Sequence, residues 1–114
     1  MIDKINFIKA MNCIKEADKK LDELYIKLED SFINPEQLFN YIGISPLVSM
    51  LAEICGIDEY WLWIYTGDLN WGQYNGYVVN NTTGRKLPLK TLDDLYEVIT
   101  YACPWDLEFK VGKM

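Results

Sequence analysis

The sequence contains no histidine. That absence removes Ser-His-Asp and Cys-His nucleophilic arrangements, histidine general-base chemistry and every histidine metal site. Cysteine is scarce: Cys13, Cys55 and Cys103 lie far apart, form no C-x-x-C pair and are odd in number. A secreted disulfide framework needs an even set, and a thiolate metal site needs close pairs and a fourth ligand. Buried, reduced thiols in a cytoplasmic protein are therefore expected, with no cofactor and no metal. Long apolar runs are missing as well. The longest uncharged stretches, residues 37–52 and 69–84, contain turn residues and fall short of a bilayer span. Asp3, Lys4 and Lys9 interrupt the N-terminus, so no signal-peptide apolar region is expected there. Without one, the glycosylation-like triplets at Asn80 and Asn81 mark only a polar turn.

The most informative absence is of positive charge. Residues 31–84 hold no Lys or Arg, against Glu36, Glu53, Asp58, Glu59 and Asp68. Nearly all of the chain's net charge of −6 therefore sits in its middle. A bare nucleic-acid backbone needs a basic surface, so direct nucleic-acid binding is not expected. A helix-turn-helix reading of residues 35–56 fails for the same reason, because Leu47–Cys55 offers no cation to bases or phosphates.

What is present fits one α+β domain. At 114 residues the chain supports one modest core, and its balance of half apolar to a quarter charged residues is that of a globular protein. Phe7, Ile14, Leu21 and Leu28 recur at steps of seven, with Met11, Ala17, Leu24 and Tyr25 between them. This stripe predicts one long helix over residues 3–29. Asp18 stands where a strict coiled-coil seam wants an apolar group, which favours packing on the chain's own core over a homodimer through residues 7–28. Asn34-Pro35-Glu36-Gln37 opens a short helix that Gly43 closes, and Ser45-Pro46 opens another with Leu47, Met50, Leu51 and Ile54 as its face. Asp58 as a cap favours a short helix over a strand for Tyr60-Trp61-Leu62-Trp63-Ile64-Tyr65, with Trp61, Ile64 and Tyr65 on one face. Residues 67–76 read as a loop. Tyr77–Val79 and Arg85–Leu89 form a small antiparallel hairpin, its second strand at an edge because of Pro88. Thr91 caps a C-terminal helix that Pro104 stops, and Leu107–Phe109 offers a short further strand.

No catalytic constellation emerges. Carboxylates alone can serve as acid and base, but any acidic domain offers such a set. The glycines at 67, 72 and 76 match neither a phosphate loop nor a dinucleotide fingerprint. What stands out is that the acidic middle also carries ten of the 16 aromatics, more than a domain of this size can bury fully. Aromatic anchors ringed by carboxylates suit a basic protein surface. The candidate partner-binding residues are Glu53, Asp58, Glu59, Trp63, Asp68, Trp71, Tyr74 and Tyr77.

Residues 58–99 resemble a set of small proteins encoded by phages and prophages of low-GC Gram-positive bacteria. The resemblance rests on the run Tyr60–Tyr65, on Asn70-Trp71-Gly72, and on Gly84 followed by Leu87-Pro88-Leu89, Thr91 and Leu95-Tyr96. Twelve Ile, eight Asn and ten Lys against one Arg suit an AT-rich genome. Some small acidic phage proteins, anti-CRISPR proteins among them, block the nucleic-acid channel of a host effector nuclease. By analogy of origin, size and charge, the resemblance implies a non-enzymatic inhibitor acting in the cytoplasm of a bacterial host. Its partner would be a protein with a basic nucleic-acid-binding surface, such as a CRISPR effector nuclease. The alternative is a phage assembly protein that self-associates through the N-terminal stripe.

Overall fold

The computed structural model describes residues 2–29, 45–101 and 106–114. The expected helix at Asn34–Gly43, Cys103 and the stop at Pro104 lie outside the described residues. The protein is α+β. Helix α1 spans Lys4–Glu29, α2 Ser45–Cys55, α3 Glu59–Trp63 and α4 Leu92–Tyr101. Strands β1 (Gly76–Asn80), β2 (Lys86–Pro88) and β3 (Leu107–Val111) form an antiparallel sheet in the order β2-β1-β3. The expected hairpin is thus the β1–β2 part of a three-stranded sheet. Pro88 sits on the edge strand, where its missing N–H costs no ladder bond.

Local chemistry sets the helix ends. Asp3 Oδ1 accepts the Asn6 amide at 2.8 Å, and Asp58 Oδ1 accepts the Tyr60 amide at 2.8 Å. Thr91 and Asp94 form a reciprocal box: the Asp94 amide donates to Thr91 Oγ1, while the Thr91 amide donates to Asp94 Oδ2, each at 3.1 Å. The ambiguous aromatic run is helical. It continues into a π-helical turn at Ile64–Asp68, in which the Leu69 amide reaches Ile64 O at 3.0 Å. Buried Thr66 donates its hydroxyl to Leu62 O at 2.8 Å, so no polar group is lost there.

The core gathers Phe7, Met11 and Ile14 of α1 with Val48, Leu51, Ala52 and Cys55 of α2. Trp61, Leu62, Ile64 and Tyr65 join them, with Val78 of β1 and Leu95 and Val98 of α4. Trp61, Ile64 and Tyr65 share the buried face as the helical reading requires, while Tyr60 is exposed. Trp61 Nε1 has no hydrogen-bond partner among the described residues. Tyr96 donates its hydroxyl to Ile2 O at 3.0 Å and its ring meets Phe7 at 5.5 Å, docking α4 on the start of α1. Lys4 adds contacts to Glu97 at 3.0 Å and Asp93 at 3.3 Å. The Glu97 and Asp93 hydrogen bonds hold the Lys4 pKa above its ordinary value.

Three expectations are corrected. The buried face of α2 is Val48, Leu51, Ala52 and Cys55, so Met50 and Ile54 point outward. Two apolar arcs overlap on this helix, and docking against α3 selects one of them. Cys13 is exposed on α1, whereas Cys55 is buried and burial pushes its thiol pKa up. Leu24 of the expected stripe is exposed, whereas Phe7, Met11 and Ile14 are buried.

Candidate functional site

The eight candidate residues are distributed over α2, α3, the turn that follows it, the next loop and β1. Glu53, Asp58 and Glu59 gather at the corner between α2 and α3. Glu59 Oε2 accepts the Ser49 hydroxyl at 2.9 Å, which ties the first turn of α3 to the outward side of α2. Glu53 lies one turn beyond Ser49 on that same side. Asp58 is spoken for as the cap of α3, and Asp68 ends the π-helical turn. All four carboxylates are exposed. Among the described residues, none of the four makes an ion pair; the pairs present are those of Lys4 and the Lys110–Glu108 contact.

The aromatic candidates divide. Tyr74 is exposed, while Trp63, Trp71 and Tyr77 are half-buried. Tyr77 lies on the outer face of the sheet, opposite Pro88 and Lys110, and Lys86 Nζ sits 5.7 Å from its ring centroid. Its surroundings are therefore cationic, unlike those of the α2–α3 corner. Met50 and Ile54, which the candidate set omits, are exposed on the outward side of α2, and Tyr60 is exposed on α3. The signal that could have found Met50 and Ile54 is the rival arc at 48, 51, 52 and 55, which alone suffices to bury α2.

Trp71 belongs to a second locus, a built loop. Asn70 and Trp71 have φ of 44° and 57°, and Gly72 follows at 86°. Left-handed backbone is uncommon for a non-glycine residue and is kept only where the surroundings impose it. Here the Trp71 amide donates to Tyr65 O at 2.9 Å, and Tyr65 Oη donates to Trp71 O at 3.3 Å. The two rings meet edge-on at 6.1 Å. Trp71 Nε1 donates to Asp18 Oδ2 at 3.2 Å, across 53 residues of sequence. Asp18, the residue that breaks the apolar stripe of α1, is thus the acceptor for a half-buried indole. Burial pushes the Tyr65 hydroxyl pKa up, and the Asp94 charge adds to it.

An open cleft of about 600 Å³ lies between α1 and this loop, with Asn12, Lys15, Asp22, Trp71 and Gln73 among its walls. Its charges are of both signs, and the Asp18 carboxyl in its wall has a pKa above its ordinary value. Burial raises it, the Asp22 charge adds, and the Trp71 hydrogen bond pulls it back. A carboxyl raised in the folded state stabilises the fold below its unfolded pKa, and that contribution is lost as pH rises through the folded value. Asp18→Asn keeps an acceptor for the indole without the charge. Its stability at neutral pH should stay within about 0.5 kcal/mol of the parent chain. On acidification through the carboxylate range, the parent chain should gain stability relative to Asp18→Asn. Urea melts of both chains across that range check this. The opposite trend would mean that the indole hydrogen bond outweighs burial.

Among the described residues, no group of three or more Cys, Asp and Glu could hold a metal ion, and no helix is long and apolar enough to cross a membrane. Compared with protein families, with curated proteins and with solved structures, the chain matches none.

Proposed function

We propose that this is a non-enzymatic binding protein, of the kind phages use against host defence, which covers a basic nucleic-acid-binding surface on a partner protein in the bacterial cytoplasm. A CRISPR effector nuclease is the partner type this reading favours. The observation that carries it is that Glu53, Asp58, Glu59 and Asp68 are all exposed in a 54-residue stretch with no Lys or Arg to neutralise them. Unpaired exposed carboxylates steer a cationic partner and speed the encounter, and salt weakens both effects.

Glu53 and Asp68 are the residues to reverse, because neither caps a helix. Asp58 would confound the result, since losing its cap costs about 1 kcal/mol of stability. The tagged chain should retain a basic nucleic-acid enzyme from lysate of an AT-rich Gram-positive host with active CRISPR and restriction systems. Salt and competing duplex DNA should each release it. The Glu53→Lys/Asp68→Lys chain should hold it roughly tenfold more weakly, about 1.4 kcal/mol, with a flatter salt dependence. Retention that resists the double reversal would remove the acidic surface from the mechanism. Retention that duplex DNA does not displace would remove the nucleic-acid site as its target.

A further inference from the structure

We infer that the outer edge of β3 is a self-association surface, on which a second copy of this chain lays its own β3 antiparallel to make one continuous sheet. This pairing goes beyond the protein-binding reading above and does not depend on it. The Asn81 amide donates to Asp106 O at 3.4 Å and the Gly112 amide to Asn75 O at 2.9 Å, at the two ends of the β1–β3 register. In an antiparallel ladder only alternate residues bond to a given neighbour. Glu108 and Lys110 therefore turn their N–H and C=O groups toward β1, while Leu107, Phe109 and Val111 turn theirs to the outer edge. Among the described residues no strand pairs that edge. The opposite edge of the sheet is blunted by its short strand of three residues and by Pro88. β3 contains no proline and pairs with β1 without a bulge, and Val111 at its end is 72% exposed.

The side chains select the occupant. Along β3 they run apolar, acidic, apolar, basic, apolar, an order that is its own complement when reversed. About a two-fold axis at Phe109, Phe109 meets its own copy, Leu107 meets Val111 and Glu108 meets Lys110. In that register the outward N–H and C=O groups of Leu107, Phe109 and Val111 exchange bonds across the axis, so backbone and side chains require the same alignment. The neighbouring registers that keep outward groups paired centre on Glu108 or on Lys110, and each sets like charges face to face. Glu108 and Lys110 already touch at 3.2 Å within one chain, and both are exposed on the sheet face that carries Tyr77. Two copies would close them into a ring of alternating charge. One strand pair falls well short of the roughly 1,000 Å² of a stable interface. Association is therefore weak, with a Kd of about 0.1 mM, and the chain is monomeric at the micromolar concentrations of a urea melt.

Sedimentation velocity of the parent chain from micromolar to millimolar concentration should show monomer giving way to dimer. The amide signals of Leu107, Phe109 and Val111 should shift over the same range in NMR spectra. Glu108→Lys and Lys110→Glu, each alone, should weaken dimerisation about tenfold, because the two-fold axis applies each change twice. An equimolar mixture of these two variants should restore it, since each chain then offers the charges that the other lacks. Val111→Pro removes an outward N–H without touching the β1 ladder and should also weaken the dimer. Leu24→Ala should leave it unchanged. Circular dichroism of the variants checks that each still folds. A parent chain that stays monomeric at millimolar concentration overturns the inference. So does a mixture of the two reversals that fails to pair, or a dimer that Leu24→Ala dissociates and the reversals do not. Retention of a cellular partner through Glu53 and Asp68 is read separately, so the failure of either reading leaves the other standing.

Discussion

Gly72→Ala should destabilise the protein by about 3 kcal/mol or more, and lower its melting temperature by on the order of 10 °C. Two costs add. The residue has φ +86°, a backbone conformation that costs an alanine about 1 kcal/mol. A Cβ there would also lie 2.2 Å from the Lys90 carbonyl oxygen and 3.1 Å from Tyr65 Oη. The first neighbour is backbone at the foot of α4, beside the Thr91–Asp94 box, so the loop must move away instead. Moving it pulls Trp71 from Tyr65 and from Asp18 together. Gly56→Ala is the matched control: it shares the left-handed backbone at φ +68° but has no atom within 4 Å of the added carbon. It should cost only about 1 kcal/mol. Urea denaturation of the two variants separates conformational strain from steric approach. Equal midpoints would show that the loop does not press against Lys90.

This loop also shows what sequence can and cannot convey. Asn70 and Gly72 are turn residues by their own chemistry, and the loop was legible from them. A tryptophan in left-handed backbone between them was not, because no local preference of Trp supports it. The support comes from Tyr65, Lys90 and Asp18, which only the folded chain brings together. Asp18 was visible as an anomaly in the α1 stripe, but its partner 53 residues away was not. The same division runs through the rest of the fold. Caps at Asp58 and Thr91 are local hydrogen bonds and read directly. The pairing of β3 with β1 joins residues about 30 positions apart and leaves no local mark beyond strand propensity. On α2 the pattern was ambiguous rather than silent, since Leu47, Met50 and Ile54 describe one arc and Val48, Leu51 and Cys55 another. The acids of the candidate surface were legible because charge keeps them outside. Which apolar groups accompany them depended on that unresolved choice.

Phe7→Ala should cost about 3–5 kcal/mol, the largest loss expected from one side chain of α1. Phe7 is 1% exposed and fills the space between α1 and α4, where its ring lies 5.5 Å from that of Tyr96. Truncation leaves a cavity that Tyr96 cannot close without surrendering its hydrogen bond to Ile2 O. The Lys4 contacts to Asp93 and Glu97 are exposed and give little compensation. Leu24→Ala, a stripe residue near the far end of the same helix, removes an exposed side chain and should stay within about 0.5 kcal/mol. The contrast tests what the seven-residue stripe is for. A stripe used within one chain is anchored where Phe7, Met11 and Ile14 are buried, so the two variants differ widely and the midpoint is independent of protein concentration. A stripe that is a seam between chains needs its second half as much as its first. Leu24→Ala would then cost far more than an exposed side chain does, and the midpoint would rise with concentration. The burial of Phe7, Met11 and Ile14 against α2 and α4 favours the first outcome. In that case the exposed Leu24 and Ile26 of α1 add little to folding.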